Sequence, residues 1–408
     1  MEKQSENQIT QPPSMVPLQL LDSVFCVPFP IHTQQAHRAM ASWVITSEGV
    51  VVVDTGLVGN GDAILRIIRQ TTQAPIRYVV YTHGHLDHVG GAPALLGEYP
   101  VIIGHENVIP RHERYVSQAP YINLINSIQF HFPPLPPGVR ARPVAPTIVY
   151  RDRYEFSLGD TRFELVHAMG ETDDHTIAHV PDLRLVFAGD LVEASFPNLG
   201  NPFKVQRYGK EWYEALEMIL AWQPRVVIGG DVILKGEEIQ KSLAAHSEVL
   251  RYLEETVVAK INEGKNLEQL WEEVQLPAHL AESPYLQQRY SRREFAIYNI
   301  WKRYCGYFDF NPAHLLPRPS WEVTAAIREI VADDERVLAK ARALAEQGKP
   351  HLALQVLDLI LANEQDHRAA RSLRRDILAT LLEQDETVMS QNTWLHYLER
   401  DEEFLAKP

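Results

Sequence analysis

The 408-residue sequence contains only two cysteines, Cys26 and Cys305, and their wide separation argues against a disulfide framework or a thiolate metal site. Cationic residues are also few, since 39 Lys and Arg against 53 Asp and Glu leave a formal net charge of −14. This balance disfavours nucleic acid or an anionic membrane as the main partner, because both bind clustered cations. An anionic substrate would therefore need a local basic pocket.

Long apolar runs are missing as well. No stretch approaches the ~20 consecutive apolar residues that cross a bilayer, and the start of the chain lacks the basic and apolar regions of a secretory signal. We expect a flexible N-terminal arm over residues 1–16 and a soluble, cytoplasmic protein with no membrane partner. Glycine-rich loops with Rossmann or kinase spacing are absent too, which disfavours nucleotide chemistry.

Apolar patterning over residues 17–235 indicates an α/β domain. Short strands at 50–53 and 76–81 flank a segment at 61–70 in which three isoleucines follow helical spacing. The segment 132–146 is rich in proline and cannot form a continuous helix or a central strand. We therefore predict a long loop over 105–147 that contacts the substrate as a lid.

The remainder of the chain, residues 236–408, is predominantly helical. Apolar positions between 338 and 359, with Gly348 and Pro350 between them, predict a hairpin of two short helices similar to one tetratricopeptide unit. A single unit of this kind cannot bury its apolar face alone, so we expect it to pack on another helix or on a second subunit. The dense aromatic residues at 301–310 favour an interface or a core.

Four side chains able to bind metal follow the predicted strand at 76–81. His83 and His85, separated by one glycine, could direct both imidazoles at one ion, and Asp87 and His88 could reach a second. Open α/β sheets place their functional sites at this end of their strands. The alternative is a polar turn in which the aspartate caps a helix and the histidines are solvated. The density of ligand-type residues favours a metal site.

These residues resemble the motifs of the metallo-β-lactamase superfamily. The sequence HGHLDH at 83–88 is preceded by VDTG at 53–56 and followed by FAGD at 187–190. The resemblance implies an αββα sandwich, which is two sheets flanked by helices, with one or two metal ions between the sheet edges. Most members have a histidine where this sequence has Glu171, and a glutamate there is similar to the alkylsulfatase branch.

A second resemblance lies in the helical part of the chain. The segments 276–286 and 304–312 are similar to the dimerisation domain of the alkylsulfatase branch. This similarity implies that the αββα sandwich is followed by an all-α domain, residues 236–408, through which the protein forms a homodimer. It also implies that the substrate is a small-molecule sulfate ester.

The resemblance further implies a set of metal ligands between positions 83 and 190. Three residues would hold the first ion, two would hold the second and one would bridge them: His83, His85 and Glu171; Asp87 and His88; and Asp190. Asp190 would hold the attacking hydroxide, and Asp87 is included with it as a catalytic residue. Asp54, in the VDTG motif, is expected to orient a ligand histidine and not to bind metal itself.

The last ligand of the superfamily is normally a histidine, but this sequence has Asp231 at that position. Three alternatives stay open: Asp231 binds through an oxygen, His246 reaches in from the following helix, or the second ion is weakly held. With Asp231 included, the carboxylates of four residues would carry a charge of −4 and balance two divalent ions: Asp87, Glu171, Asp190 and Asp231. Zinc is expected from the resemblance, while the hard oxygen donors make manganese or iron plausible.

The sulfate-binding residues of the branch match Asn198 and Arg207, and an arginine offers a planar fork of donors to a tetrahedral oxyanion. The alternative is a surface arginine and a turn asparagine. Tyr121 is a further candidate sulfate donor, with core packing of its ring as the alternative.

Together these features predict a metallohydrolase that cleaves a sulfate monoester of an apolar alcohol with metal-activated water. One rival is a hydrolase of the same fold acting on a thioester, a lactone or a phosphoester. Another is a metal-binding scaffold without turnover.

Overall fold

The computed structural model describes residues 16–30, 38–133, 143–331 and 333–407. They form two compact units. The first contains the described residues up to 119 together with 143–194 and 207–248, and the second contains 120–133, 195–206 and the described residues from 249 onwards. Nearly all of the expected N-terminal arm, and residues 134–142 of the proline-rich segment, lie outside the described residues. The domain boundaries after residues 16 and 235 stay predictions.

One sheet of the first unit contains seven strands among the described residues, which neighbour one another in chain order. The strands are β1 Leu18–Leu21, β2 Val24–Pro30, β3 Arg38–Thr46, β4 Gly49–Val53, β5 Ile76–Val80, β6 Val101–His105 and β7 Ile148–Tyr150. β1 to β4 pair in antiparallel fashion, whereas β4 to β7 are parallel. The carboxyl ends of β4 and β5 therefore meet at one edge of the sheet.

The second sheet of this unit contains six strands in the described part of the chain. They are β8 Arg153–Leu158, β9 Thr161–His167, β10 Thr176–Val180, β11 Leu185–Gly189, β12 Val226–Gly229 and β13 Ile233–Lys235. Their spatial order is the reverse of their chain order. Only β11 and β12 pair in parallel among these strands, and the connection between them contains helix α5, Gly209–Ala221.

Two apolar layers stabilise the first unit. Buried side chains from both sheets, including Val80 and Phe187, form a core between the sheets. The opposite face of the first sheet, including Trp43, packs against Ile64 and Ile68 of helix α1. The helices up to residue 129 are α1 Gly61–Thr71, α2 Leu86–Val89, α3 Val108–Ser117 and α4 Ala119–Gln129, with a 3-10 helix at Ala92–Glu98. The predicted αββα architecture is confirmed.

The predicted loop over 105–147 is wrong in its first half, because residues 108–129 form α3 and α4. The prediction extended the loop of the proline-rich run at 132–146 back to residue 105, although this first half contains only Pro110 and Pro120. Each proline lies in the first turn of its helix, where the backbone N–H has no intrahelical acceptor and its loss costs little.

The described part of the second unit is helical. After α6, Glu237–Asn262, which begins in the first unit, the helices are α7 Leu267–Glu273, α8 Ala278–Ala281, α9 Arg293–Tyr304, α10 Ser320–Val331, α11 Asp334–Glu346, α12 Pro350–Leu361, α13 Arg368–Gln384 and α14 Val388–Leu405. Short 3-10 helices lie at Pro181–Leu183 in the first unit and at Pro312–His314 in the second. Among the described residues, no helix combines the length and the apolar character needed to cross a membrane.

The helical hairpin expected between 338 and 359 is present as α11 and α12. Gly348, with φ of 73°, ends the first arm, and Pro350 begins the second. The apolar face of the hairpin is covered by α13, whose Leu373 and Ile377 belong to the same buried cluster as Leu357. The cover is therefore another helix of the chain, which is one of the two expected alternatives. The following helix pair, α13 and α14, was not foreseen.

Candidate metal centre

Three strand ends of the first unit bring metal-binding side chains together. His83 and His85 follow β5, Glu171 follows β9, and Asp190 follows β11 directly. One ligand atom from each of these four residues lies within 4.8 Å of the others. The Nδ1 atom of His85 is 2.9 Å from His83 Nε2 and 3.3 Å from Glu171 Oε2. This group has the size and the donor set of a single metal site.

The electrostatics of this group fit a cation. Burial lowers the pKa of His83 well below its ordinary value, and the neighbouring His88 and His85 lower it further, so its imidazole is neutral. Burial raises the pKa of Glu171 to about 7, although Arg207 opposes the rise. The Oε2 atom of Glu171 is buried and has no hydrogen-bond partner in the part of the chain that the structure describes. A divalent cation at this position would bind the lone pair of the His83 imidazole and would also stabilise the ionised Glu171 carboxylate.

His88 lies beside this group, on α2. Its Nε2 atom is 3.2 Å from Asp190 Oδ1 and 3.7 Å from Asp87 Oδ2. Burial alone would lower the pKa of His88, but the carboxylates of Asp190, Asp54 and Asp87 raise it well above its ordinary value. The ring proton thus supplies the positive charge that these carboxylates require, and a second cation could supply it instead. The carboxylate of Asp190 faces both His83 and His88, as a bridging ligand must.

Asp54 fixes the orientation of His88. It follows β4 in a left-handed conformation, with φ of 59°. One carboxylate oxygen accepts the Thr82 backbone N–H at 2.8 Å, and the other accepts both the Thr82 hydroxyl and His88 Nδ1–H at 2.7 Å. With Nδ1 donating, the neutral imidazole presents its Nε2 lone pair towards Asp190 and Asp87. This is the contact that the expected orienting role requires.

The predicted ligand Asp231 lies after β12, and its Oδ1 accepts the backbone N–H of Ala194 at 2.8 Å. Asp231 is not a member of the four-residue group. The alternative ligand, His246, is buried on α6, where its Nδ1–H donates to the Ser242 carbonyl at 2.7 Å. The choice among the alternatives for the last ligand stays open.

Gly230, just before Asp231, packs against the Asp190 carboxylate. A Cβ atom at position 230 would lie 2.0 Å from Asp190 Oδ1, so a larger residue there would displace the carboxylate. The end of β12 therefore limits where Asp190 can sit.

Two further buried side chains, Glu193 and His175, lie at the site, and Glu193 was not predicted from the sequence. Glu193 is buried, and its burial, together with the nearby Asp190 and Asp231, raises its pKa well above the ordinary value. Its position three residues after Asp190 in FAGDLVE was a signal that could have been used. The ring of His175 stacks on that of His83, with centroids 4.8 Å apart, and its Nε2–H donates to the Ala188 carbonyl at 2.8 Å.

A buried ion pair holds the backbone between His83 and His85. Asp174 accepts the Gly84 N–H through Oδ2 at 2.8 Å, and its Oδ1 lies 3.0 Å from Arg111 Nε. Arg111 also contacts Asp173. Arg111 was missed because it belongs to α3, in the segment that the sequence predicted to be a loop.

The predicted sulfate-binding residues lie in different parts of the fold. Arg207, in the first unit, is 3% exposed, and its Nη1 is 2.5 Å from Glu171 Oε1. Asn198, in the second unit, is 4% exposed. Arg207 is therefore not a surface arginine, whereas Asn198 does lie in a turn, as the alternative expected. Tyr121, on α4 in the second unit, is 55% exposed, so its alternative of core packing is wrong.

Comparisons with known proteins agree with this architecture. The Metallo-beta-lactamase superfamily matches residues 39–260, and the Alkyl sulfatase dimerisation family matches residues 266–403. A linear primary-alkylsulfatase of Pseudomonas sp. (strain ATCC 19151) is 24% identical over 80% of this chain and 67% of its own length. An (R)-specific secondary-alkylsulfatase of Pseudomonas sp. is 24% identical over 85% of this chain and 57% of its own length.

The fold is similar to that of a solved structure, a stereoselective inverting sec-alkylsulfatase from Pseudomonas sp. The TM-score is 0.84 at 20% sequence identity, over 95% of this chain and 66% of the other. The chain thus spans about two thirds or less of the length of these relatives. The resemblance inferred from the motifs is confirmed, and the chain belongs to the metallo-beta-lactamase superfamily, with a match to the alkyl sulfatase dimerisation family in its helical region.

Proposed function

We propose that the chain is a metal-dependent hydrolase that cleaves a sulfate monoester of an apolar alcohol. The observation that carries this proposal is the buried guanidinium of Arg207, 2.5 Å from Glu171 in the four-residue group. A sulfate monoester remains anionic, and a carboxylate-rich metal site attracts it weakly without a cation beside it. Arg207 supplies that cation together with a fork of donors for tetrahedral oxygens. The names of the relatives support the same activity.

The cofactor in this proposal is a pair of divalent ions, with zinc favoured over manganese or iron. Two sets of side chains would hold them, with Asp190 common to both: His83, His85 and Glu171; and Asp87, His88 and Asp231. When bound, such ions lower the pKa of a water molecule towards neutrality and polarise the ester oxygens.

The protein side chains have separate tasks in the reaction. Asp190 lies between His83 and His88, where its carboxylate can hydrogen-bond the attacking water. Asp87 is the second proposed catalytic residue, and its Oδ2 atom lies 3.7 Å from His88 Nε2. Arg207 and Asn198 would orient the sulfate group, and the Tyr121 hydroxyl would be a further donor to it. Each of these roles is part of the proposal.

The decisive experiment combines metal analysis with a substrate panel. Purified protein is loaded with zinc, manganese or iron and assayed with octyl sulfate, an acyl thioester, a lactone and a phosphate monoester. We expect sulfate release from octyl sulfate. Turnover of the thioester, lactone or phosphoester alone would support the rival hydrolase, and fewer than one ion per chain with no hydrolysis would support the scaffold.

Variants of Arg207 test the residue on which the proposal depends. Arg207→Gln should lower kcat/KM for octyl sulfate by about 100-fold or more, because a charge-assisted contact to the sulfate is lost. Arg207→Lys keeps the charge without the planar fork, so its kcat/KM should lie between those of the wild type and Arg207→Gln. Arg162→Gln, at an exposed position of β9, is the control and should match the wild type. Equal activity of all four proteins would contradict the proposal.

We further propose that the protein is a homodimer formed through an apolar surface between residues 304 and 330. Large apolar side chains are exposed along this stretch, with Tyr307, Leu316 and Ile330 at 74%, 81% and 84%. Exposed apolar side chains of this size, all within residues 304–330, are typical of an interaction site. Sedimentation velocity should show a dimer at micromolar concentration. Leu316→Glu should shift it to a monomer, whereas Tyr99→Glu, in the first unit, should not; a wild-type monomer would contradict the proposal.

The proposed location is the cytoplasm. It rests on the two cysteines, which lie in different units and are both free thiols. Fractionation of the native cells followed by immunodetection tests it, and recovery of the protein outside the cytoplasmic fraction would contradict it.

A further inference from the structure

The helical unit contains a pocket that the metal chemistry does not use. It has a volume of about 410 Å³ and is lined by residues of α10, α12, α13 and α14. Its wall carries three arginines, Arg371, Arg374 and Arg400, together with the ring of Tyr397. Such a concentration of guanidinium groups is notable in a chain with a net charge of −14.

Two of these arginines share one buried carboxylate. Asp401 is fully buried and accepts from Arg371 Nη1 at 3.0 Å and from Arg374 Nη2 at 2.6 Å, both at Oδ1. Arg374 Nε also donates to Asp401 Oδ2 at 2.7 Å. The two guanidinium groups therefore lie side by side, and one carboxylate balances only one of their charges. A further anion would relieve the remaining repulsion between them.

Several donors at the pocket are left for a ligand. Within the part of the chain that the structure describes, Arg374 Nη1 and the Tyr397 hydroxyl make no hydrogen bond. The exposed Arg400 has a single weak contact, from Nη1 to His396 Nε2 at 3.4 Å. A planar guanidinium, a phenol and a second guanidinium are the donor types that bind an oxyanion.

The wall also contains a carboxylate, which lowers the net positive charge of the pocket. Asp358 lines the pocket, and burial raises its pKa while Arg374 opposes the rise. Even with Asp358 and Asp401 both ionised, the three guanidinium groups leave the pocket positive. Leu361 and Ala362 provide an apolar part of the wall.

We infer that this pocket binds a small molecule bearing an oxyanion group, which is a phosphate, a sulfate or a carboxylate. The oxyanion lies among Arg374, Arg400 and Tyr397, and the remainder of the molecule contacts Leu361 and Ala362. The volume is within the range of small-molecule sites. This site lies wholly in the second unit and is independent of the metal centre and of the proposed sulfatase activity.

Isothermal titration calorimetry of the full, metal-loaded chain tests the inference, with inorganic phosphate, inorganic sulfate and acetate as separate probes at constant ionic strength. At least one probe should bind with a stoichiometry of one per chain at the pocket, and the ranking of the three identifies the oxyanion class. The same probe should raise the midpoint of thermal unfolding in proportion to its occupancy.

Variants distinguish the pocket from the metal centre. Arg400→Gln and Tyr397→Phe should each weaken the binding of the probe, the former at least tenfold, whereas Arg371 and Arg374 are left intact because they hold Asp401. Arg375→Gln is the matched control, since Arg375 neighbours Arg374 on α13 but pairs with Asp376. Arg207→Gln should leave this binding unchanged. Equal binding by Arg400→Gln and Arg375→Gln, loss of binding in Arg207→Gln, or no binding of any probe would overturn the inference.

Discussion

Replacement of Asp54 by asparagine isolates one function of the VDTG motif, the orientation of His88. Asparagine has nearly the same volume and tolerates the left-handed conformation at this position, where φ is 59°. If the amide oxygen keeps the Thr82 N–H, the amide nitrogen occupies the position of the oxygen that now accepts His88 Nδ1–H. The Thr82 hydroxyl can rotate to become an acceptor, but the imidazole cannot keep its proton on Nδ1.

The consequence falls on the other ring nitrogen. With Nδ1 bare, the neutral ring carries its proton on Nε2, the atom 3.2 Å from Asp190, and has no lone pair there for a metal. Loss of such an outer hydrogen bond typically costs 10–100-fold in metal affinity, which is about 1.4–2.7 kcal/mol. The loss should fall on one of the two proposed ions. The Nε2 atom of His83 faces Glu171, and its Nδ1 atom contacts the Thr82 hydroxyl and not Asp54.

Competitive zinc titration against a chelator of known affinity measures both binding steps, and circular dichroism checks that the fold is intact. Asp62→Asn, an exposed carboxylate-to-amide exchange on α1, is the matched control and should bind zinc as the wild type does. Wild-type affinity at both steps in Asp54→Asn would refute the argument, as would an equal loss in the control.

Three further predictions concern the surroundings of the metal centre. Arg111→Met leaves the buried Asp174 without its cation and should lower the free energy of unfolding by about 3–5 kcal/mol in a urea titration. Burial alone would raise the pKa of Asp174, but Arg111 and the hydrogen bond from the Gly84 N–H hold it below its ordinary value. Wild-type stability should therefore fall as the pH drops below about 4, and Arg111→Met should lose part of this dependence. Gly230→Ala should displace Asp190 and abolish hydrolysis of octyl sulfate, whereas Gly97→Ala, where a Cβ has no neighbour within 4 Å, should retain it. Removal of metal by a chelator should lower the thermal midpoint, because buried carboxylates then face one another without a cation.

Local patterns predicted several strands, including β4 and β5, and the histidine cluster, whereas the two-sheet sandwich followed from the resemblance. The segment 76–80 is apolar apart from the exposed Arg77, and its β-branched and aromatic residues identified β5 and its carboxyl end. His83 and His85 then followed as candidate ligands from their position after the strand. Glu171 and Asp190 required the resemblance, because nothing in a sequence shows that residues about 90 and 100 positions away meet the same two imidazoles.

The remaining features depend on tertiary packing and could not be predicted locally. Asp174 reaches Gly84 only because β9, β10 and the end of β5 converge, and Arg111 required α3 to be recognised as a helix despite Pro110. The packing of helix α13 on the α11–α12 hairpin similarly follows from contacts between segments. Side chains that hold ligands in place leave weaker sequence signals than the ligands themselves.

The hydrogen bonds that Asp54 accepts from Thr82 and His88 join the end of β4 to the segment after β5, and they have a consequence for unfolding. A slip of one residue between these two strands would turn the Asp54 carboxylate to the opposite face of the sheet. The orientation of His88 towards the proposed metal therefore depends on the register of β4 and β5, and the two should be lost together. Release of the metal on gradual addition of denaturant should therefore report disruption of the first sheet, at the same concentration as the loss of its circular dichroism signal.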